Sequence, residues 1–334
     1  MKLVKNLMIV FLVFFVAAGV FARGAQDGGS AAKIKVIFAG TEAASTGQSR
    51  AMQEMADILN ASGRFDADVQ VNGALSADTD NLVTQARTGV PLVVPSDPGR
   101  LASQFDIPDM NILMAPYILT DPAVLPKLPE IALFKEWQAK LESQGISFVA
   151  NMYNGFRSFY TVNPVRTVAD LRGLRIRGFG NNIGNALAKY FGFANIGISW
   201  GEVVPGIQQR TLDGCEVQVA TAFGSAVFDV VKNLAMTKHY MLQSSFVCSN
   251  SMLNSMSAAD RDFFIKTIRD TVQKYSGIIA SDEDPYYQQM REKGVNIVDV
   301  DMKEFQDAIA PLYTNNDLGF SAGLKDRLFR ELGI

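Results

Sequence analysis

The sequence is poor in the side chains from which most catalytic and metal sites are built. It contains 1 histidine, His239, and 2 cysteines, Cys215 and Cys248. It has no C-x-x-C motif and no paired-histidine spacing, which excludes the common zinc and redox motifs, and we expect no metal or cofactor. The two cysteines fall in different predicted elements, which favours free, buried thiols over the alternative of a disulfide bond.

Charge is scarce too, and no hydrophobic run is long enough for a typical membrane span. Charged residues make up 19% of the chain and the formal net charge is −3, which argues against a nucleic-acid-binding surface. The apolar run from Leu7 to Phe21 is shorter than the roughly 20 residues of a spanning helix, and Lys2 and Lys5 precede it. This pattern predicts a cleavable signal peptide at residues 1–22 and a flexible tether at 23–32, with an uncleaved anchor as the alternative. No cysteine lies near the cleavage site, so we expect a periplasmic protein that is not a lipoprotein.

Beyond the tether, strand-like and helix-like segments alternate. Such alternation is typical of βαβ units and predicts a mostly parallel sheet. The strand-like segments are 33–40, 67–71, 90–96, 145–153, 174–179 and 215–221, and the clearest helical ones are 49–60, 80–87 and 183–191. The length of the chain favours two α/β lobes over one core. Ser257 and Asp260 form a predicted capping pair that opens a charged amphipathic stretch towards Arg291, which indicates a long helix that bridges the lobes.

The segment GISWG, centred on Ser199, matches the G-x-S-x-G pattern of a serine hydrolase. Asp213, Asp229 and His239 follow in the order of a catalytic triad. The histidine comes only about forty residues after the serine, however, which leaves little room for the sheet of a hydrolase. A secreted serine hydrolase that uses Ser199 is therefore a remote alternative to a helix start in which Glu202 lies near the positive end of the helix dipole.

Two further patterns are weaker. GFGNNIG (178–184) is close to the dinucleotide-binding fingerprint, but its glycine spacing is one residue too long. Three adjacent acids, Asp282, Glu283 and Asp284, could be imagined as glycosidase carboxylates, although such runs are usually the solvated face of a helix. Neither pattern predicts an enzyme.

An arginine-rich strand is the most informative part of the chain. VADLRGLRIRGF (168–179) contains three arginines, and within it Leu174 and Ile176 alternate with Arg175 and Arg177. This is the period of a strand with one covered face. The arginines therefore lie either at a solvated sheet edge or in a site for an anion.

The motifs around this strand occur in a specific order. They are NGFRSFYTVNPV at 154–165, LDGCEVQ at 212–218 and TKH at 237–239. In this order the sequence resembles the substrate-binding subunits of tripartite ATP-independent periplasmic (TRAP) transporters, the DctP-like family. The resemblance covers roughly residues 33–330 and is most specific over 155–216.

The resemblance implies a fold and an anion site. The fold is α/β, a two-lobe periplasmic-binding-protein fold with a cleft between the lobes, crossing strands and a long lobe-bridging helix. Arg177 matches the family arginine that binds a ligand carboxylate, and Arg157 matches a second arginine that supports the site. A planar guanidinium can bind a carboxylate through two parallel hydrogen bonds. Arg166, Arg172 and Arg175 have no such match and are expected at the surface.

The residue after Glu216 departs from the family pattern. The family commonly has asparagine there, where its side chain adds a hydrogen bond to the carboxylate, whereas this chain has Val217. The loss of that donor predicts a ligand with an anionic head and an apolar body. The remaining residues expected to line the cleft are Phe159, Phe179, Trp200, Gln218 and Phe223. His239, in TKH, is expected to be structural.

The resemblance also implies a receptor without chemistry of its own. It would capture an organic acid, close around it and deliver it to TRAP integral-membrane subunits for uptake driven by an ion gradient. An accessory periplasmic protein is a further candidate partner, and no nucleic acid is expected. A sensory protein that signals to a membrane receptor is the alternative. The predicted lobes are 33–154 plus 243–282 and 155–242 plus 283–334, with hinges near Asn154-Gly155 and Gln243-Ser244.

Overall fold

One mixed sheet of nine strands organises residues 32–334, the part of the chain that the computed structural model describes. The predicted signal peptide and nearly all of the tether lie outside the described residues. The strands are β1 (Ile34–Ala39), β2 (Phe65–Gln70), β3 (Leu92–Ser96), β4 (Ile146–Thr161), β5 (Arg175–Arg177), β6 (Ala194–Asn195), β7 (Gly214–Gln218), β8 (Asn233–Ser249) and β9 (Asn296–Val298).

Helices connect and cover these strands. In the described range the α-helices are α1 (Gly47–Ala61), α2 (Thr79–Arg87), α3 (Pro98–Gln104), α4 (Ala132–Ser143), α5 (Asn182–Phe191), α6 (Val203–Gln208), α7 (Val219–Gly224), α8 (Val227–Val230), α9 (Asn250–Ser255), α10 (Ala258–Glu292), α11 (Met302–Ile309), α12 (Pro311–Thr314) and α13 (Leu324–Leu332). Short 3-10 helices occupy Pro108–Met114, Pro122–Glu130, Val168–Leu171 and Trp200–Glu202. None of the helices in this range is long and apolar enough to cross a membrane.

The direction of the strands changes across the sheet. The order is β2-β1-β3-β8-β4-β7-β5-β6, and β9 also pairs with β8. The outer strands pair in parallel, as β1 does with β2 and β3, and as β5 does with β6 and β7. The central pairs β3–β8, β8–β4 and β4–β7 are antiparallel. The prediction of a mostly parallel sheet therefore applies to the outer strands, while the centre consists of antiparallel strands that cross the molecule.

Two long strands, β4 and β8, form that centre and confirm the expected crossing strands. They contain 16 and 17 residues, or roughly 50 Å at about 3.3 Å per residue. One end of β8 pairs with β3, through Ser245 to Cys248, and the other end pairs with β9, through Asn233 to Ala235. The same two strands thus belong to both halves of the molecule, which is the arrangement of a two-lobe fold.

The long helix predicted after Ser257 is α10, with 35 residues. The Ser257 side chain accepts a hydrogen bond of 3.1 Å from the backbone N–H of Asp260, which confirms the capping pair. Pro285 lies inside the helix without ending it. The helix contacts α1, β4 and α7, so it packs against both halves of the sheet as expected.

The cysteines lie in two separate hydrophobic clusters. Cys215 belongs to the cluster around β7, α6 and α8, and Cys248 belongs to the larger cluster that includes β1, β3 and α1. Both thiols are free and buried, as predicted, and burial raises the pKa of each to about 12. Thiols with such high pKa values are inert at neutral pH.

The last helix packs on a helix of the first predicted lobe. Arg327 of α13 binds Glu136 of α4 at 2.7 Å, and the Glu331 carboxylate accepts a hydrogen bond of 2.8 Å from the backbone N–H of Leu133. We propose on this basis that α13 belongs with residues 33–154 rather than with 283–323, and we keep the other predicted lobe boundaries as proposals.

Candidate ligand-binding cleft

A cavity of about 620 Å³ opens where several parallel strands end. Its lining includes Glu42 just after β1, Asn72 just after β2, Ser96 at the end of β3, Arg177 at the end of β5 and Gln218 at the end of β7. The carboxyl ends of parallel strands in open α/β sheets are the usual place for ligands. Residues from both predicted lobes therefore face one cavity, and it is the best candidate for the interlobe cleft.

Arg177 places a cation in this cleft without a carboxylate partner. Its Nε donates a hydrogen bond of 3.3 Å to the carbonyl oxygen of Ile198, and its guanidinium lies 5.2 Å from the ring of Trp200. Among residues 32–334, no Asp or Glu lies within ion-pair distance of it. Burial, followed by repulsion from Arg157, lowers the pKa of Arg177 from its ordinary value, although a guanidinium still stays charged at neutral pH. An anion in the cleft would supply the missing partner.

Arg157 has the opposite surroundings, because its charge is already neutralised. Its Nε binds the carboxylate of Glu216, its Nη1 donates 3.1 Å to Oε1 of Gln218, and its guanidinium lies 4.3 Å from the ring of Phe179. Burial alone would lower the pKa of Arg157, but Glu216 raises it above its ordinary value. The side chain lines the cleft and is held rigidly, which agrees with a supporting part.

Glu216 joins Arg157 to the only histidine in the sequence. His239 is fully buried, with Nε2 at 3.3 Å from the Glu216 carboxylate and Nδ1 at 2.9 Å from the Thr237 hydroxyl. Burial alone would raise the pKa of Glu216, but Arg157 and then the hydrogen bond from His239 lower it to about 2. Burial lowers the pKa of His239, so a neutral ring that donates from Nε2 and accepts at Nδ1 satisfies both contacts. This confirms His239 as a core residue.

The opposite wall of the cleft carries polar atoms that lack partners. Oε2 of Glu42, Oγ of Ser96 and Oε1 of Gln243 are buried and have no hydrogen-bond partner among the described residues. The Gln243 amide is fixed in orientation, because its Nε2 donates 2.6 Å to the carbonyl oxygen of Leu113. Burial raises the pKa of Glu42, although hydrogen bonding by Thr46 and by Asn154, the latter at 3.4 Å, acts in the opposite direction. This wall therefore presents acceptors to whatever occupies the cleft.

Six of the eight predicted site residues line the cleft. They are Arg157, Arg177, Phe179, Trp200, Val217 and Gln218. The Trp200 ring is oriented by a hydrogen bond of 2.8 Å from its Nε1 to the Ser225 hydroxyl. That these residues contact a ligand stays a prediction.

Phe159 and Phe223 do not line the cleft, and the structure corrects their placement. Phe159 is fully buried and packs against His239 and Phe193, with ring centroids 4.7 and 5.6 Å away, because it fills the space beneath the sheet. Phe223 packs against Phe228 and Tyr286, with centroids 5.4 and 4.8 Å away, where α7 meets α8 and α10. Phe159 belongs to the core, and Phe223 is half-buried against the edge of the second hydrophobic cluster.

Arg166, Arg172 and Arg175 lie away from the cleft lining. Arg166 and Arg172 are exposed, as expected. Arg175 is half-buried and binds Asp213 through two hydrogen bonds of 2.8 and 2.9 Å. Arg177, which is also half-buried, differs from it in lining the cleft and in lacking a carboxylate partner among the described residues.

Ser199 does not have the surroundings of a hydrolase nucleophile. Its hydroxyl donates 2.7 Å to the Glu202 carboxylate, and the two residues form a capping box at the start of the 3-10 helix Trp200–Glu202. Both ring nitrogens of His239 face Thr237 and Glu216 instead. The favoured interpretation of a capped helix start is confirmed.

Glu283 departs from the expected solvated acidic face. Its side chain is buried, and Tyr153 donates a hydrogen bond to its carboxylate. Asp282 and Asp284 remain at least partly exposed, and Asp282 lies 3.9 Å from Arg50. Burial raises the pKa of Glu283, and its contact with β4 indicates a structural role for it.

The polar wall of the first lobe was missed by the sequence analysis. Glu42, Ser96 and Asn154 lie directly after, or within, strands that the sequence indicated, whereas Gln243 lies in β8, which the sequence analysis did not indicate. A search for polar residues at the ends of the predicted parallel strands would have found Glu42 and Ser96. Gln243 and Asn154 were named only as hinge positions.

Comparison with known families decides which class of protein this is. The model of the family of bacterial extracellular solute-binding proteins, family 7 (DctP), matches residues 38–317, well over half of the chain. The chain belongs to this family. The resemblance drawn from the arginine-rich strand is thereby confirmed.

One relative of this chain is the 2,3-diketo-L-gulonate-binding periplasmic protein YiaO of Escherichia coli (strain K12). It is 28% identical over 204 residues, which is 60% of this chain and 62% of the relative. The match therefore spans less than two thirds of that relative's length.

Two solved structures share the fold of this family 7 protein over nearly their whole length. A TRAP periplasmic solute-binding protein of Actinobacillus succinogenes 130Z with bound L-galactonate has a TM-score of 0.82 at 25% identity, over 90% of this chain and 99% of that one. A TRAP periplasmic solute-binding protein of Ochrobacterium anthropi with bound L-fuconate has a TM-score of 0.83 at 25% identity, over 90% of this chain and 100% of that one. The two-lobe fold is confirmed.

Proposed function

We propose that this chain is the solute receptor of a TRAP transporter. It binds the carboxylate of a small organic acid through Arg177, closes around the ligand and delivers it to integral-membrane subunits. The single observation that carries this proposal is a half-buried guanidinium, in the cleft of a family 7 protein, whose charge no described carboxylate neutralises. A half-buried guanidinium without a partner binds a carboxylate more strongly than a guanidinium fully exposed to water.

The ligand carries hydroxyl groups on its body. The buried oxygens of Glu42, Ser96 and Gln243 have no donors, and each such group left unsatisfied costs roughly 1–3 kcal/mol. Ligand hydroxyls would satisfy them, whereas an alkyl chain would leave them unpaired. The expected apolar ligand body is therefore revised, because polar residues line much of the cleft and two of the four predicted aromatic rings, Phe159 and Phe223, are not part of its lining.

Three of the apolar residues that line the cleft lie beside the proposed carboxylate site. Val217, Phe179 and Trp200 line the cavity on the same side as Arg177. They exclude water from the ion pair without satisfying polar groups of the ligand body. The sugar acids named for the structural relatives, L-galactonate and L-fuconate, combine one carboxylate with several hydroxyls, which is the chemistry that we infer for this chain.

A comparison of three matched molecules tests both ends of the ligand. Thermal unfolding would be followed with L-galactonate, with galactitol, which lacks the carboxylate, and with hexanoate, which lacks the hydroxyls. We expect L-galactonate to stabilise the protein most, by about 2.7 kcal/mol at a concentration of 100 times its Kd. Stronger stabilisation by hexanoate than by L-galactonate would show that the cleft prefers an apolar ligand body. Stronger stabilisation by galactitol would show that binding does not depend on a carboxylate.

The protein reaches the periplasm through cleavage of residues 1–22. The basic start and the short apolar run support this, and the absence of a nearby cysteine supports a mature protein without lipid. Mass spectrometry of the exported protein is expected to give a mature N-terminus at Arg23. A retained apolar run would support the anchor instead.

A further inference from the structure

A second cavity, of about 420 Å³, lies on the outer side of β4 and shares no lining residue with the ligand-binding cleft. The 3-10 helix Pro122–Glu130, the strand segment 149–151 and the middle of α10 enclose it. Its volume is within the range of small-molecule pockets, about 300–1,000 Å³. The apolar residues that line it include Pro122, Leu125, Pro126, Pro129, Val149 and Val272.

One buried donor in this lining has no acceptor. Asn151 is 6% exposed, and its Oδ1 accepts a hydrogen bond of 2.6 Å from the Ser245 hydroxyl. That contact fixes the amide orientation and leaves Nδ2 buried and without a partner among the described residues. A buried amide N–H without a partner is energetically costly. A ligand whose acceptor takes a hydrogen bond from this N–H would remove that cost and so bind more tightly.

A cation lies beside the same cavity. Arg269 of α10 donates from Nε to the carbonyl oxygen of Val149 at 3.2 Å, and no described carboxylate lies within ion-pair distance of it. The acids at the rim are engaged elsewhere, since Asp270 binds Lys266 at 2.6 Å and Glu130 lies 3.8 Å from Lys135. The unpaired charge at this cavity is therefore positive.

We propose that this cavity is a second ligand site, for a small aliphatic monocarboxylate. The alkyl body lies against the prolines, Leu125 and Val272, while the carboxylate accepts from Nδ2 of Asn151 and pairs with Arg269. Burial of the alkyl chain against this lining is favourable, and it leaves no buried acceptor of the lining unpaired. A hydroxyl-rich acid does not suit this apolar lining, so the two cavities select different ligands.

Octanoate is the probe for the test, and isothermal titration calorimetry is the measurement. Gly277 lines the cavity, and a Cβ built on it meets no heavy atom within 4 Å, so Gly277→Leu fills the cavity without a clash. We expect saturable octanoate binding to the wild type, its loss in Gly277→Leu, and weakening of about tenfold or more in Arg269→Ala. Asn151→Asp keeps the acceptor for Ser245 but replaces the free donor with an oxygen, and it is expected to weaken octanoate as well.

The cleft supplies the matched control. Arg177→Ala is expected to leave octanoate binding unchanged, and Gly277→Leu is expected to leave L-galactonate binding at its wild-type value. Octanoate binding that is lost in Arg177→Ala but kept in Gly277→Leu would place it in the cleft and overturn the second site. The absence of saturable octanoate binding to the wild type would overturn it too.

Discussion

At the scale of single residues, the presence or absence of a carboxylate partner determines the role of each arginine near the cleft. Arg175 and Arg177 lie on β5, and Arg157 lies on β4 on the other side of β7. Glu216 neutralises Arg157 and Asp213 neutralises Arg175. Of these three arginines, only Arg177 both lines the cleft and lacks a carboxylate partner in residues 32–334. The energetic consequence is that a ligand carboxylate gains most at this position.

Replacing Arg177 therefore tests the anion site. Arg177→Ala is expected to weaken the binding of L-galactonate by about 2–5 kcal/mol, as for the loss of one partner of a desolvated charge pair. Arg177→Lys is expected to recover only part of this, because an ammonium group cannot make the two-pronged contact. Calorimetric titration gives the affinities.

Arg175→Ala is the matched control for that experiment. It removes a guanidinium two residues away that is bound to Asp213 and lies outside the cleft lining. Its affinity for L-galactonate is expected to remain near that of the wild type. Equal losses at both positions would contradict the assignment of Arg177.

The buried Arg157–Glu216 pair predicts a pH dependence of stability. The pKa of Glu216 is lowered from 4.5 to about 2 in the folded protein. The ionised carboxylate therefore contributes fully to the free energy of unfolding above about pH 4.5, and this contribution disappears as the pH falls towards 2. The shift corresponds to about 3 kcal/mol. Urea unfolding should show that the free energy of unfolding of Glu216→Gln lies far below that of the wild type at pH 7, and that the difference is smaller at pH 3. A difference that stays constant with pH would show that the carboxylate charge is not what stabilises the fold.

The sequence predicted the two cleft arginines but not their electrostatic difference. A motif gives the order of residues along the chain, whereas the neutralisation of Arg157 depends on Glu216, which lies 59 residues further along and pairs with it across two strands. The polar wall was missed for the same reason, since Glu42 and Gln243 meet only in the folded molecule. Aromatic residues gave the poorest prediction, because Phe159 in a strand fits a core as well as a cleft.

At the scale of elements, β4, β8 and α10 connect the two halves. The sequence predicted α10 well, since capping and helical spacing are local properties. It indicated β4 only as far as residue 153, and it placed a strand at 219–221 where α7 begins. Pairing across the sheet extends β4 to Thr161, and such pairing is not a local property.

Gly155 marks the point where β4 changes register with β8. The register shifts between Tyr153 and Phe156, and Gly155 has a φ of 100°. A Cβ there would lie 2.9 Å from Cβ of Gln218, which lines the cleft. This supports the proposed hinge near Asn154-Gly155.

Gly155→Ala is expected to destabilise the fold and to weaken ligand binding. The left-handed backbone costs alanine roughly 1–2 kcal/mol, and the contact with Gln218 adds to it. Gly173→Ala is the control, since Gly173 also has a positive φ of 75° but a Cβ there meets no heavy atom within 4 Å. Urea unfolding of both variants measures the two losses in the free energy of unfolding. Equal losses would show that the contact with Gln218 does not contribute to the effect of Gly155→Ala.

At the scale of the whole molecule, the shared strands suit closure of one lobe on the other. Hinge closure usually concentrates in a few residues between rigid bodies. We expect saturating L-galactonate to reduce the radius of gyration measured by small-angle X-ray scattering. Superimposable scattering curves with and without the ligand would contradict closure while leaving the anion site intact.

The central claim is that the cleft selects a carboxylate through Arg177. Native mass spectrometry of the mature protein, incubated with an equimolar mixture of L-galactonate, L-fuconate and galactitol, observes the selected molecule directly. We predict adducts of the two acids on the wild type, none of galactitol, and none of the acids on Arg177→Ala. Undiminished acid adducts on Arg177→Ala, or a galactitol adduct as intense as those of the acids, would contradict the claim.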